Sequence, residues 1–404
     1  MAKKIVFFYS SREIGGVDTV LVNLIKAWPA KNDHCEVWLN KGHKGKYVYD
    51  AGGLKVKQIH VLATSDINFT SLKRGATSGF SQFCWKLRKI ASVLKFPIFL
   101  YSIIIFYFKL KKDKFEVVFS HNGGYPAAEL SLSFVVAARL ARIKKIFLVI
   151  HNNATISQWP FRIFDRIIDA WIDHSCSQII CVSSSCAKQL KETRFLTAQK
   201  ITYIYNGIIT ERTAHLSLRD KRNTLKLDGA GKIIGCIGDY EERKGHEYLI
   251  RAFYQIQDEF PHSKLVIIGS DAFAHAITLN KLIQELRLEK KVFLTGYLDA
   301  AWEYIECFDV FVFPSINYES FGMVLLEAML YKKPVIASDV GGIPEVLGDA
   351  GLIVEPNNSQ QLACAMKQIL NNATLSNTMV EKGYDRLNHM FQAGVMAEKY
   401  YNLL

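Results

Sequence analysis

Short apolar runs alternate with stretches of helical period along nearly the whole chain, the pattern of βα units that build parallel sheets. In the first half the runs predict strands at Lys4–Phe8, Cys35–Leu39, Val56–Val61, Val117–Ser120, Ile146–Ile150, Ile179–Val182 and Ile201–Ile204. In the second they predict strands at Ile233–Ile237, Lys264–Ile268, Val292–Leu294, Val310–Phe313, Val335–Ala337 and Leu352–Val354. The stretch 208–231 is polar and strand-poor, which suits a linker. At 404 residues the chain is too long for one ordinary core. The expected fold is therefore α/β, with two Rossmann-like domains, 1–207 and 232–404, facing a central cleft where ligands meet the carboxyl ends of the strands.

One segment breaks the rhythm. Phe96–Phe108 is thirteen mostly apolar residues, short of the roughly 20 needed to cross a bilayer. Within 73–114 it is framed by ten Lys or Arg and one acidic residue, Asp113. An aromatic apolar face among cations suits an interfacial segment on anionic lipid; a core helix with a solvated basic flank is the plainer alternative. Charge sharpens the choice of partner. Residues 1–207 carry 30 Lys and Arg against 13 Asp and Glu, whereas the remainder carries 20 against 25, so the net +12 sits on the first half. Nucleic acid fits poorly, because Phe and Ile predominate without a recognised RNA- or DNA-binding motif.

The eight cysteines form no C-x-x-C pair and several lie in apolar runs, as free cytosolic thiols would, with no zinc site. The opening M-A-K-K-I-V-F-F-Y-S reads as a first strand and not as a signal peptide, so a cytoplasmic location is expected, peripheral on the inner face of the membrane.

Candidate chemistry gathers after the strand Val310–Phe313. Glu319 and Glu327 bracket E-S-F-G-M-V-L-L-E, with Glu327 alone among Val324, Leu325, Leu326, Ala328 and Met329. A carboxylate on an apolar helix face is costly without partners, and ligand hydroxyls could be those partners. The helix start would offer backbone N–H groups at Phe321, Gly322 and Met323 to an anion or a sugar oxygen. A salt-bridged core glutamate plus an ordinary N-terminal Glu explains the pair better if it stands alone. Elsewhere, Gly15 and Gly16 lie in a turn before the helix Val17–Trp28, His151 and His121 at strand tips, and Gly238 at a strand end ahead of Arg243 and Lys244. A lysine there can neutralise a departing diphosphate.

The whole run Phe313–Leu347, F-P-S-I-N-Y-E-S-F-G-M-V-L-L-E-A-M-L-Y-K-K-P-V-I-A-S-D-V-G-G-I-P-E-V-L, resembles the signature of the retaining glycosyltransferases with the GT-B fold. The resemblance implies a nucleotide diphosphate sugar as donor substrate, no cofactor and no metal. It makes Glu319 a ligand of the donor sugar, Glu327 a ligand of the ribose hydroxyls, and the backbone of Ser320, Phe321, Gly322, Met323 and Val324 a cradle for sugar and diphosphate. Arg243 and Lys244 would meet the phosphates, with Gly238 beside them, and Gly15 and Gly16 would lie next to the diphosphate and acceptor. His151 would orient a sugar hydroxyl, His121 being a weaker candidate of the same kind. Ser183 and Asn206–Gly207 match small residues that line the cleft and end the first domain. The chain departs from the commonest pattern at Asp239, where the family has an arginine. Hexose transfer to a lipid-linked, lipopolysaccharide or other cell-envelope glycan acceptor at an anionic membrane surface is the expected function. Two rivals stand beside it: a glycoside hydrolase, whose carboxyls would lie roughly 5 to 9 Å apart across a sugar, and a non-enzymatic membrane or assembly protein, for which Asp239 speaks.

Overall fold

The computed structural model describes residues 2–11, 14–61, 78–126, 128–156, 162–211, 214–271 and 274–404. The chain divides into two compact units, Met1–Ile204 with Ala397–Leu404, and Tyr205–Met396.

The first unit holds strands β1 (Lys4–Tyr9), β2 (His34–Asn40), β3 (Val56–Ile59), β4 (Val117–Asn122), β5 (Lys145–Ile150), β6 (Gln178–Cys181) and β7 (Ile201–Tyr203). Its helices are α1 (Gly16–Lys26), α2 (Lys46–Ala51), α3 (Ser78–Asp113), α4 (Glu129–Leu140), α5 (Arg162–Ser175) and α6 (Ser184–Thr193). The strands form one parallel sheet in the order β3-β2-β1-β4-β5-β6-β7. Consecutive residues Ile5, Val6, Phe7 and Phe8 are all buried, because helices cover both sheet faces; hence the continuous apolar runs in place of alternation. Phe8 stacks on Phe134 of α4 on one side, and Phe7 on Phe119 on the other.

The second unit holds α7 (Leu218–Thr224), β8 (Ile233–Ile237), α8 (His246–Ile256), β9 (Lys264–Ile268), α9 (Ala276–Glu285), β10 (Val292–Leu294), β11 (Val310–Phe313), α10 (Met323–Leu330), β12 (Val335–Ser338), α11 (Ile343–Leu347), β13 (Leu352–Val354), α12 (Ser359–Asn371) and α13 (Ala373–Met390). Its sheet is parallel in the order β10-β9-β8-β11-β12-β13. The last helix, α14 (Ala393–Tyr401), begins in this unit and ends in the first, where Tyr400 packs on Phe119 and Tyr401 on Trp28. Every expected strand is present, and both sheets have a doubly wound order whose direction of winding reverses between β1 and β4 and between β8 and β11.

One expectation needs correction. Residues 208–231 are built into the second unit, not strung out as a linker. Ile208 pairs with Gln392, Leu225 and Leu227 are buried, the Lys221 ammonium reaches Glu306 at 2.7 Å, and buried Glu303 accepts the N–H groups of His215 and Leu216. Polar composition misled because Leu225 and Leu227 anchor the stretch in the core and Lys221, though charged, is buried and paired with Glu306.

The apolar segment 96–108 lies within α3 and is divided between two faces of it, one buried and one exposed. Ile98, Phe99, Ile103, Phe106 and Leu110 enter the core, with Phe106 against Phe134 of α4. Phe96, Leu100, Tyr101, Ile104 and Phe108 are exposed, the last two by 55% and 65%. Lys111 and Lys112 are exposed beyond them, whereas the basic residues at 73–95 lie outside the described side chains. Among the described residues no helix is long and apolar enough to cross a membrane.

Candidate functional site

In the second unit the loops after β8 and β11, on either side of the reversal point, are clipped together by backbone. The loop after β8 ends in a single 3-10 turn, Glu242–Lys244, and Gly245 then takes a left-handed φ of +69°. A Cβ on Gly245 would stand 2.0 Å from the Pro314 carbonyl, so only glycine lets the loops approach this closely. Ile316 N–H donates to the Arg243 carbonyl at 2.8 Å.

This approach sets Lys244 Nζ 2.6 Å from Glu319 Oε2 and Arg243 Nη1 3.6 Å from the same oxygen. Arg243 also pairs with Glu241 at 2.5 Å and lies over the Tyr318 ring, while the Lys244 ammonium lies over Phe313. The third neighbouring loop, after β12, grips the Glu319 backbone: Gly342 N–H donates to its carbonyl, and a Cβ on Gly341 would come within 2.1 Å of that oxygen. Two cations and a carboxylate thus converge where three loops meet.

Glu327 is placed differently from expectation. It is half-buried, one turn along α10 from Met323 and beside Val324, both also half-buried, while Leu325, Leu326, Ala328 and Met329 face the core. With 3.6 residues per turn, position 327 shares the open side of the helix and not its apolar side, so its charge needs less compensation than the sequence suggested. The helix itself starts at Met323, after Gly322 at φ +85°. Its open-ended first-turn N–H groups are therefore those of Met323 and Val324, Leu325 N–H turning back to Gly322. Ser320 and Phe321 are buried, Phe321 against Tyr205 and Phe391, so only their backbone could serve a ligand.

Asp239, which stands where an arginine was expected, ties two loops. Its Oδ1 accepts from Ser270 N–H at 3.2 Å and Ser270 Oγ at 2.8 Å, and its carbonyl meets His246 Nε2 at 3.1 Å. His246 is buried, which pushes its pKa down to about 4. Gly238 lies directly under Gly269, whose Cβ, were there one, would touch the Gly238 carbonyl at 1.9 Å.

In the first unit Gly15 caps α1 and, with Gly16, is exposed at the helix start. Asp18, entirely buried, holds this turn through Gly15 N–H at 2.9 Å, His43 Nε2 at 2.7 Å and the Tyr49 hydroxyl at 2.6 Å. The other ring nitrogen of His43 lies 3.1 Å from the Ser11 carbonyl, so both ends of the glycine loop hang on one buried couple. Burial, then the Asp18 charge, pushes the Tyr9 hydroxyl up to about 12. Asp18 in the first helical turn was the only trace of this network in sequence; nothing marked His43 or Tyr49.

His151 follows β5 directly, and its Nε2 lies 2.8 Å from Nδ1 of His121, the rings stacked 5.1 Å apart. His121 is completely buried, so it cannot touch a sugar as expected; the strand end continues through Asn122 and places the ring behind His151. Burial drives both pKa values down, His121 well below its usual range and His151 to about 3, the Asp18 charge opposing the shift at His151. The loops after β4 and β5 are joined where Thr155 N–H donates to the Tyr125 carbonyl at 2.8 Å; both are tied to α5, the Tyr125 hydroxyl donating to Asp169, and Arg194 pairing with Asp169 at 2.8 Å and Asp165 at 3.0 Å while donating to the Thr155 carbonyl. Ser183, expected to line the cleft, is buried and caps α6 by accepting from Cys186 N–H. Gly207 belongs to the second unit, pressed on the backbone at Gln392.

Two doubly wound parallel-sheet units define a GT-B fold, and Arg243, Lys244 and Glu319 meet at the reversal point of the second sheet. The family comparisons agree. Residues 218–386 match the model of the glycosyl transferases group 1, and residues 14–212 that of glycosyltransferase family 4; the chain belongs to the group 1 glycosyltransferases. It is 34% identical over 48% of its length to an uncharacterized glycosyltransferase of Methanocaldococcus jannaschii. It is 30% identical over 47% of its length to the N-acetylgalactosamine-N,N'-diacetylbacillosaminyl-diphospho-undecaprenol 4-alpha-N-acetylgalactosaminyltransferase of Campylobacter jejuni. The chain spans about half the length of these curated relatives, 51% and 50%. The crystal structure of Anabaena HepE in complex with UDP superposes with a TM-score of 0.75 at 20% identity, covering 99% of this chain and 98% of that one.

Proposed function

We propose that this protein transfers a hexose or hexose derivative from a nucleotide diphosphate sugar to a lipid-linked, lipopolysaccharide or other cell-envelope glycan acceptor, with retention of configuration and without a metal. The observation that carries the reading is the convergence of Arg243, Lys244 and Glu319 at the reversal point of the second sheet. Lys244 and Arg243 neutralise the diphosphate as the glycosidic bond lengthens, when charge builds on the leaving oxygen. Glu319 meets the hydroxyls of the transferred sugar, and Glu327, on the open side of α10, those of the ribose. In an oxocarbenium-like state the leaving phosphate oxygen receives the acceptor's proton, so no side chain need act as base. A hydrolase is less well supported, since Glu319 is engaged by Lys244 at 2.6 Å and Arg243 at 3.6 Å. Asp239 supports an inactive protein less than its sequence position suggested, because it bonds Ser270.

The acceptor reading rests on α3, whose exposed Phe96, Leu100, Tyr101, Ile104 and Phe108 beside Lys111 and Lys112 suit an anionic lipid surface, and on the undecaprenol-linked substrate in the name of the Campylobacter relative. The protein is then peripheral on the cytoplasmic face. Screening nucleotide sugars for protection against thermal unfolding tests the donor: a cognate donor at about 100 times Kd should stabilise by about 2.7 kcal/mol. Glu327→Ala should lose much of that protection, while Glu319→Ala should keep it and lose turnover, because ribose contacts are uniform binding and sugar contacts strengthen in the transition state. No protection by any nucleotide or nucleotide sugar would end the reading.

A further inference from the structure

We propose that His121 is a positioning residue that fixes His151 in the tautomer protonated on Nδ1, so that His151 meets its ligand as a hydrogen-bond donor. The role, though not the tautomer, rests on the reading that His151 faces the transferred sugar.

The pair lies at the carboxyl ends of neighbouring strands. His151 N–H donates to the Asn122 carbonyl at 2.9 Å, and Ser131 Oγ donates to the His121 carbonyl at 2.7 Å, so both backbones are held. Between His121 Nδ1 and His151 Nε2, at 2.8 Å, lies one proton, and one ring must donate while the other accepts. Neither ring takes a second proton near neutral pH, since burial lowers both pKa values.

Two assignments remain, and the far side of His121 decides between them. Its Nε2 is fully buried and has no hydrogen-bond partner among the described residues. If His151 donated, the His121 proton would sit on that nitrogen as a buried N–H with no acceptor. If His121 donates, only a lone pair is left unfilled there. Orphaned buried N–H groups are rarer than unfilled acceptors, so His121 Nδ1–H donates to His151 Nε2.

The consequence reaches the ligand. His151 Nε2 is then occupied as an acceptor, the neutral ring carries its proton on Nδ1, and Nδ1 is the one nitrogen left for a ligand. An N–H there binds a sugar hydroxyl through its oxygen and cannot remove a proton from it. His151 orients; it does not act as base.

Long-range proton–nitrogen NMR correlation on protein labelled with 15N-histidine reads the tautomer directly. In the wild type His151 should show a protonated Nδ1 and an unprotonated Nε2, with no titration near the usual value of 6.5. In His121→Phe the Nε2–H form should appear, and kcat should fall about tenfold, the worth of one hydrogen bond, with KM changed less than about twofold. His121→Asn, whose carboxamide N–H can take the place of Nδ1–H, should restore both readings. A wild-type His151 protonated on Nε2, or a tautomer unchanged in His121→Phe, would overturn the proposal. If His121→Phe does not fold, the wild-type and Asn spectra decide alone. Wild-type spectra as expected in a protein that transfers no sugar would sink the functional reading and leave the tautomer assignment standing.

Discussion

The two units reach their sites by opposite electrostatic means. In the second, Arg243, Lys244 and Glu319 meet through ion pairs that are only partly exposed, on loops held by glycines too close to a neighbour to carry a Cβ. In the first, the groups at the strand ends are a neutral histidine pair and a glycine turn hung from the buried Asp18–His43–Tyr49 network. Paired cations suit charge that develops on a leaving group, whereas a neutral ring pair and a glycine turn suit orientation and close approach. That contrast is why the proposed function gives the diphosphate to the second unit.

The contrast breaks most easily at Lys244. Lys244→Ala should cost about 2 to 4 kcal/mol of transition-state stabilisation, read as kcat/KM, if the phosphate oxygen is met in a site that excludes water. Arg243→Ala should fall in the same range. Asp239→Asn should leave kcat/KM unchanged, because its Oδ1 bonds Ser270 and offers nothing to a phosphate. Wild-type turnover in Lys244→Ala would mean that the cradle lies elsewhere.

How far each half could be read from sequence follows the same division. Glu319, Gly322 and Glu327 sit in one contiguous run, and Lys244 follows Gly238 at short range, so a resemblance carried by local motifs could single them out. The strands were legible because burial on both faces leaves unbroken apolar runs. The Asp18–His43–Tyr49 network joins residues 25 and 31 positions apart across two helices and a loop, and His121 meets His151 at a separation of 30. No periodicity encodes such pairs. The polar stretch 208–231 misled for a related reason: Lys221 and Glu303 look solvated in sequence, and their partners, Glu306 and the N–H groups of 215–216, are distant in the chain. Glu327 erred the other way, since seven apolar neighbours do not say which side of an eight-residue helix is open.

A second test sets the units side by side in acid. His246 in the second unit is buried and neutral, with a pKa of about 4 against the usual 6.5. Its folded pKa is depressed, so the unfolded chain takes up the proton first; the stability is whole above 6.5 and is lost as pH falls from there toward 4. At about pH 5 this one group costs about 2 kcal/mol. His121 and His151 act in the same direction in the first unit. His246→Gln, whose amide N–H can still reach the Asp239 carbonyl, should therefore lose less melting temperature between neutral and acid pH than the wild type. An identical acid slope in the two proteins would show that His246 is already protonated in the folded state.

The smallest effect concerns where the charge lies. The first 207 residues hold all of the cationic excess, and α3 turns exposed aromatics outward beside Lys111 and Lys112, whereas the second half is net acidic. Each surface Lys contributes about 1 kcal/mol toward an anionic bilayer and fades with salt, while inserted rings hold in salt. Vesicle sedimentation should accordingly show binding that rises with anionic lipid and is only partly reversed by salt. Lys109→Glu, Lys111→Glu and Lys112→Glu together should remove the salt-sensitive part, and Phe108→Ser with Ile104→Ser the salt-resistant part. The second set should leave the fold intact, because these side chains are exposed and the core contacts of α3 run through Ile103, Phe106 and Leu110 on its other face. Equal recovery of all three proteins on neutral and anionic vesicles would make the outer face of α3 an ordinary solvated surface and turn the search for the acceptor toward soluble glycans.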